Sequence, residues 1–145
     1  MKKKLKKINN IKIFNIKSIK NAKGNIFKIL SSKSNFFNNF GDCYISEINS
    51  LKLKAWRCHK RSIQNIFIIS GKCKLVVYFK NKFHQIYLSS ISPKLVIIPN
   101  NAWYGFQNMG TKKVKLLNIT NRNYSEKEIL RKKQNEIDYD WKKNY

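Results

Sequence analysis

Asn65-Ile66-Phe67-Ile68-Ile69-Ser70-Gly71-Lys72-Cys73-Lys74-Leu75-Val76-Val77-Tyr78-Phe79-Lys80-Asn81-Lys82-Phe83-His84-Gln85-Ile86-Tyr87-Leu88 decides the fold. Its three apolar runs are rich in β-branched and aromatic residues and too short for helices, so each reads as a strand. Ser70-Gly71-Lys72 and Lys80-Asn81-Lys82 separate them, and both read as hairpin turns. Working outward, the same alternation of short runs and Gly, Pro, Asn and Ser punctuation predicts strands at Ile11–Ile16, Ile26–Ser31, Tyr44–Ile48 and Lys52–His59. Further strands are expected at Asn65–Ser70, Cys73–Phe79, Phe83–Leu88, Leu95–Ile98 and Val114–Thr120. Many short strands at this spacing make a sandwich or barrel. After them Ser125-Glu126-Lys127-Glu128 has the form of a capping box, which predicts a helix from there to about Lys133. The acidic stretch Glu136-Ile137-Asp138-Tyr139-Asp140-Trp141 is expected to strap over the barrel.

A length of 145 residues suits one domain. We divide it into a basic tail over 1–10, a barrel over 11–124 and a helix with strap over 125–145. Hydrophobic residues make up 42% of the chain, too many for a disordered basic tail despite a net charge of +24. Only four of the 31 cations are Arg, the residue that forks onto phosphates and base edges. Lys, Asn and Ile together fill 66 of the 145 positions, and they share A/T-rich codons, so the charge alone is a weak pointer to nucleic acid. Between Ile48 and Ser125 there is no Asp or Glu, which excludes paired-carboxylate chemistry and hard-cation sites from that stretch. Proton transfer there falls to His59, His84, Tyr, Cys or Lys. Cys43, Cys58 and Cys73 form no Cys-x-x-Cys pair and are expected as reduced thiols. The basic N-terminus is followed by no apolar stretch of signal-peptide length, and no run approaches a membrane span. A cytoplasmic protein is expected.

Two separated motifs narrow the fold. Arg57-Cys58-His59, Gln64 and Gly71 keep the spacing of the first cupin motif, His-x-His, four residues, Glu, six residues, Gly. Pro99-Asn100-Asn101, Tyr104 and Asn108 keep that of the second, Pro-x-Gly, two residues, His, three residues, Asn. The sequence therefore resembles an all-β cupin jelly-roll barrel, here with a short C-terminal helix. Where a metal cupin holds its ion, this chain offers Arg57, His59, Gln64 and Tyr104. One good ligand among four, beside a guanidinium, predicts a metal-free site without cofactor.

The strings Lys54-Ala55-Trp56-Arg57-Cys58-His59-Lys60-Arg61, Trp103-Tyr104-Gly105-Phe106-Gln107-Asn108 and Ile137-Asp138-Tyr139-Asp140-Trp141 resemble short members of the dTDP-4-dehydrorhamnose 3,5-epimerase family. Arg57-Cys58-His59-Lys60 is also similar to the His-x-His-Lys string of the sugar-nucleotide 3,4-ketoisomerases. The resemblance implies a nucleoside-diphosphate-linked 4-keto-6-deoxy sugar as substrate, isomerised or epimerised by proton transfer in surface polysaccharide synthesis. The epimerase family's base falls on Arg57, which cannot serve as one at cellular pH. Its acidic Tyr falls on the strand Lys115-Leu116-Leu117-Asn118-Ile119-Thr120, where no Tyr stands, and the segment supplying its His-partnering Asp is expected to have no counterpart.

His59, two residues along a strand from Arg57, faces the same way and is expected to have taken over proton transfer, with Tyr104 as its counterpart. Lys54, Arg57, Gln64, Trp103 and Asn108 are the expected substrate contacts. Cys58 should point away, and His84 should lie on an outer strand. Edge strands of such a barrel suggest a homodimer. Two other readings stay open, a catalytically silent sugar-nucleotide-binding cupin and a basic nucleic-acid-binding barrel.

Overall fold

The computed structural model describes residues 9–143. Most of the basic tail expected over 1–10 lies outside the described residues. Twelve strands follow in chain order: β1 (Lys12–Asn15), β2 (Ser18–Ile19), β3 (Ile26–Phe27), β4 (Cys43–Ile48), β5 (Leu53–His59) and β6 (Gln64–Ser70), then β7 (Lys72–Phe79), β8 (Lys82–Ser89), β9 (Lys94–Ile98), β10 (Trp103–Asn108), β11 (Val114–Thr120) and β12 (Ile129–Arg131). They form two five-stranded sheets, β1-β9-β6-β11-β4 and β12-β5-β10-β7-β8, beside a small β2-β3 ribbon. All the pairings are antiparallel, and the whole is the jelly-roll architecture of the cupins.

The turn at Lys80-Asn81 is a hairpin: both residues have positive φ, 51° and 61°, matching the twist of the β7–β8 pair they join. Ser70-Gly71-Lys72 is not. β6 and β7 belong to different sheets, so this joint is a corner at which the chain crosses from one layer to the other. Gly71 has φ 86°, and a Cβ there would lie 3.0 Å from the Val114 side chain, so the corner needs a residue without one. Asn101 stands at the Gly position of the second motif and adopts φ 62°, a conformation Asn tolerates better than most residues.

Between the sheets lies a core of Ile48, Ile66, Ile68, Leu75, Val77, Val96, Ile98 and their neighbours. A second apolar layer covers the outer face of the β5-containing sheet, where Trp56 and Val76 pack against Ile137 and Trp141. Residues 134–143 lie across that face. Trp56 Nε1 donates to the Gln134 carbonyl at 3.2 Å, and the Tyr139 hydroxyl donates to Gln85 Oε1 at 2.6 Å. Lys74, wholly buried, donates from Nζ to the Trp141 carbonyl at 2.8 Å and the Lys143 carbonyl at 3.1 Å. Gly105 permits a close approach in this layer, since a Cβ there would meet Ala55 Cβ at 2.6 Å and Trp141 Cη2 at 3.0 Å.

Among the elements that differ from the sequence reading, β2 (Ser18–Ile19) has no expected counterpart. Of Ile26–Ser31 only Ile26 and Phe27 are strand, and both are exposed. The strand β10 was not expected, because Gly105 and the polar Gln107 and Asn108 hide its alternation. The helix from Ser125 is reduced to one 3-10 turn, Glu126–Glu128, with no side-chain cap from Ser125. Glu128 turns inward instead of reaching back, and residues 129–131 extend as β12 along β5. Backbone bonds between Trp56 and Lys132 (2.9 and 3.1 Å) and from Lys60 N to the Glu128 carbonyl (3.0 Å) continue that pairing at both ends.

Candidate active site

The site grows from the register of three strands. Arg57 on β5 lies opposite Tyr104 on β10 and opposite Arg131 on β12. A register shift between Tyr104 and Phe106 absorbs Ala55 and Trp56, so that Lys54 comes opposite Phe106. Lys54 and Arg57, three residues apart, therefore line the same cavity, of about 300 Å³. Its floor is apolar, with Ile66, Phe106 and Leu116, and its charged lining includes Lys54, Arg57 and Arg131. Burial, then the neighbouring Arg57 charge, lowers the Lys54 pKa, while its ammonium bonds to the Glu47 carbonyl at 2.9 Å. Arg57 makes no ion pair among the described residues. Arg131 forks onto Glu126, with one bond at 3.2 Å and a shorter one from Nη1.

Behind this lining His59 is 6% exposed and held at both ring nitrogens. Nδ1 lies 3.2 Å from Glu128 Oε1 and Nε2 lies 3.0 Å from the Tyr104 hydroxyl. Glu128, itself buried, accepts the Arg61 and Ser62 amides on Oε2, each at 3.0 Å, and the Ser62 hydroxyl on Oε1. Burial works against its charge, but these donors and His59 hold its pKa below the usual value. An anionic Glu128 fixes the proton on Nδ1 of His59, so Nε2 accepts from the Tyr104 O–H. Burial lowers the His59 pKa below 6.5, with Glu128 opposing and Arg57 and Arg131 assisting, so the ring is neutral at neutral pH. Burial pushes the Tyr104 phenol well above its ordinary value. The result is a line, Glu128 to His59 to Tyr104, whose last member borders the cavity.

The expected site residues divide. Lys54, Arg57 and Tyr104 line the cavity. His59 and Gln64 border a much smaller space of about 20 Å³, and Tyr44 borders both spaces. Gln64 Oε1 accepts from Asn118 Nδ2 at 2.8 Å. Trp103 is a correction: strand alternation turns it to the outer apolar layer, beneath the Lys132 ammonium 4.8 Å from its ring centroid. Asn108 is another. Its amide nitrogen donates to the Ile48, Asn49 and Lys112 carbonyls and its oxygen accepts the Gly110 amide, so its polar groups are spent clamping loops. Cys58 is buried between Trp103 and Leu130 across the sheet, its thiol pushed up to about 11 by burial first and Glu128 second. His84 lies on β8 in a separate pocket beside Asn10 and Ile11, apart from this site.

Four site residues escaped the sequence reading. Glu128 was assigned to a capping box, although it is one of the first acids after a long acid-free stretch. Arg131 was assigned to a helix. Asn118 and Tyr44 occupy strand positions with no motif, yet Tyr44 brings a phenol next to Asn118, where the family pattern sought a Tyr on β11 itself. Among the described residues, no group of three or more His, Cys, Asp and Glu comes together as a candidate metal site.

A family model described as WxcM-like, C-terminal (FdtA) matches residues 9–141. No curated protein matches the sequence. Among solved structures, a dTDP sugar isomerase from Desulfovibrio desulfuricans G20 superposes with a TM-score of 0.86 at 23% identity, covering 95% of this chain and 94% of that one. QdtA, a sugar 3,4-ketoisomerase from Thermoanaerobacterium thermosaccharolyticum in complex with TDP, gives 0.73 at 18% identity over 85% of this chain and 88% of that one. A dTDP-4-dehydrorhamnose 3,5-epimerase from Elizabethkingia anophelis NUHP1 gives 0.78 at 16% identity over 97% and 87%. At these identities the likeness establishes the shared fold.

Proposed function

The chain belongs to the WxcM-like, C-terminal family, and on that premise we propose that it isomerises or epimerises a nucleoside-diphosphate-linked 4-keto-6-deoxy sugar for surface polysaccharide synthesis. The observation that carries this reading is the hydrogen-bonded line from Glu128 through His59 to Tyr104 at a cavity edged with cations. The C4 ketone acidifies the hydrogens on C3 and C5. The Tyr104 oxygen takes such a proton as its own O–H proton passes to His59 Nε2, and the C–H electron pair moves onto the ketone oxygen. Concerted transfer avoids a free buried phenolate, which the raised phenol pKa disfavours. Delivery of a solvent proton to the opposite face of that carbon gives an epimer; return of the proton to C4 of the enediolate formed through C3, as the O3 hydroxyl proton passes to the C4 oxygen, gives the 3-keto isomer. Arg57 and Lys54 hold the diphosphate, since fixed cations attract phosphate oxygens strongly in a partly dry cavity.

Solvent deuterium tests the chemistry. Wild-type protein is expected to place deuterium on the carbon next to the ketone of thymidine diphosphate-4-keto-6-deoxyglucose, and His59→Asn to lose that exchange. No exchange by wild type, with the nucleotide sugar still bound, would leave only a silent binding module.

The protein acts as a homodimer in the cytoplasm under the same reading. β4 is a sheet edge with Ile45 58% exposed, and an exposed apolar edge favours pairing with a second copy. Three free thiols suit a reducing compartment. Equilibrium sedimentation at twice the 17.2 kDa chain mass is the expected result, and a chain mass of one copy would remove the dimer.

A further inference from the structure

The wall facing the proton-transfer line carries a second polar row that the mechanism does not use. Gln64 on β6, Asn118 on β11 and Tyr44 on β4 come from adjacent strands of the other sheet. Asn118 pairs directly with Tyr44, and Gln64 pairs with Thr120, two residues along from Asn118. Asn118 Nδ2 donates to Gln64 Oε1 at 2.8 Å and to the Tyr44 hydroxyl at 2.7 Å. Asn118 is 4% exposed and Gln64 1% exposed. Their other ends, Asn118 Oδ1 and Gln64 Nε2, have no hydrogen-bond partner among the described residues. Two unsatisfied amide ends in one buried row are costly unless something completes them.

The chemistry of the missing partner can be read from the row itself. As oriented, the row leaves one acceptor on Asn118 and one donor on Gln64. Turning both amides over leaves a donor on Asn118 and an acceptor on Gln64. A hydroxyl, which both donates and accepts, completes Asn118 in either state. A phosphate oxygen can only accept, and Lys54, Arg57 and Arg131 lie on strands of the opposite sheet. Asn118 lines the larger cavity, whereas Gln64 borders the 20 Å³ space, which is large enough for one water.

We infer that Asn118 is a specificity-determining contact for a ring hydroxyl of the bound sugar, oriented by Gln64 and Tyr44. This rests on the nucleotide-sugar reading above and deepens it: the two walls sort the ligand, the diphosphate going to one and the sugar hydroxyl to the other.

Calorimetric titration with thymidine diphosphate and with thymidine diphosphate-glucose, which has no ketone and does not react, separates the possibilities. Wild type is expected to bind both. Asn118→Leu is expected to bind thymidine diphosphate as wild type does and thymidine diphosphate-glucose about 10- to 100-fold more weakly. Asn118→Ser, which keeps a polar group too short to span the gap, is expected to show the same selective loss and serves if the Leu variant does not melt cooperatively. Equal weakening of both ligands, or of neither, in a folded variant overturns the assignment while leaving the nucleotide-sugar reading intact. Failure of wild type to bind either ligand removes that reading and the assignment with it.

Discussion

A buried imidazole gripped by a carboxylate on one nitrogen and a phenol on the other has a single useful tautomer, and Glu128 selects it. Removing that charge without removing bulk therefore tests more than stability. Glu128→Gln is expected to lower turnover by about 10²- to 10⁴-fold, the span a positioned acid–base pair commonly supplies. Its pH profile should move as well. In wild type the rate is expected to fall as pH drops through a His59 pKa already held below 6.5 by burial. Glu128 raises that pKa, so its loss lowers it further, and the acidic limb of the rate profile shifts to more acidic pH. A purely structural defect would lower the rate without moving the limb. Thiol chemistry gives a second check, on burial: iodoacetamide at neutral pH is expected to reach Cys43 first, because it is exposed in the single chain. Cys58 and Cys73, buried with thiols pushed up to about 11 and about 12, should react only on unfolding. The juxtaposition of His59 and Tyr104 was legible because a fixed motif spacing survives when the residues in it change. Glu128 was not, since Ser-x-x-Glu has a local meaning that only a long-range partner overrides.

The strands of the sandwich were largely readable from alternation and punctuation, and Lys80-Asn81 marked its hairpin correctly. Ser70-Gly71-Lys72 carried the same local signal with a different outcome. A glycine between two apolar runs says that the chain turns, while the choice between folding back in one sheet and crossing to the other depends on which neighbours are already paired. β12 shows the same limit, because its few residues become a strand only against the free edge of β5. Gly105 sits where the β5 bulge, β10 and the Trp141 ring converge. Gly105→Ala is expected to destabilise the protein by about 1–3 kcal/mol through overpacking. Thermal melting should detect this as a fall of roughly 2–4 °C per kcal/mol.

Across the whole molecule a charge of +24 is spread over a small fold, with 31 basic residues against seven acidic ones. Self-repulsion of that size opposes the compact state, so raising salt from low to physiological strength is expected to raise the melting temperature. The same screening should weaken a diphosphate ligand, whose attraction to Lys54 and Arg57 is electrostatic. Scanning calorimetry and ligand titration across one salt series check both, and a melting temperature that falls with salt would contradict the first.

Lys74 sets a limit on editing the far end of this chain. Its ammonium is enclosed by aromatic rings and reaches no solvent, so the oxygens of Trp141 and Lys143 stand in for its hydration shell. Cutting the protein back to Asp140 would leave a cation stranded in hydrocarbon, and the damage would spread through Trp56 into the strand that carries His59. An affinity handle placed after residue 143 spares that arrangement, whereas one replacing the turn at Trp141 would cost the protein that support.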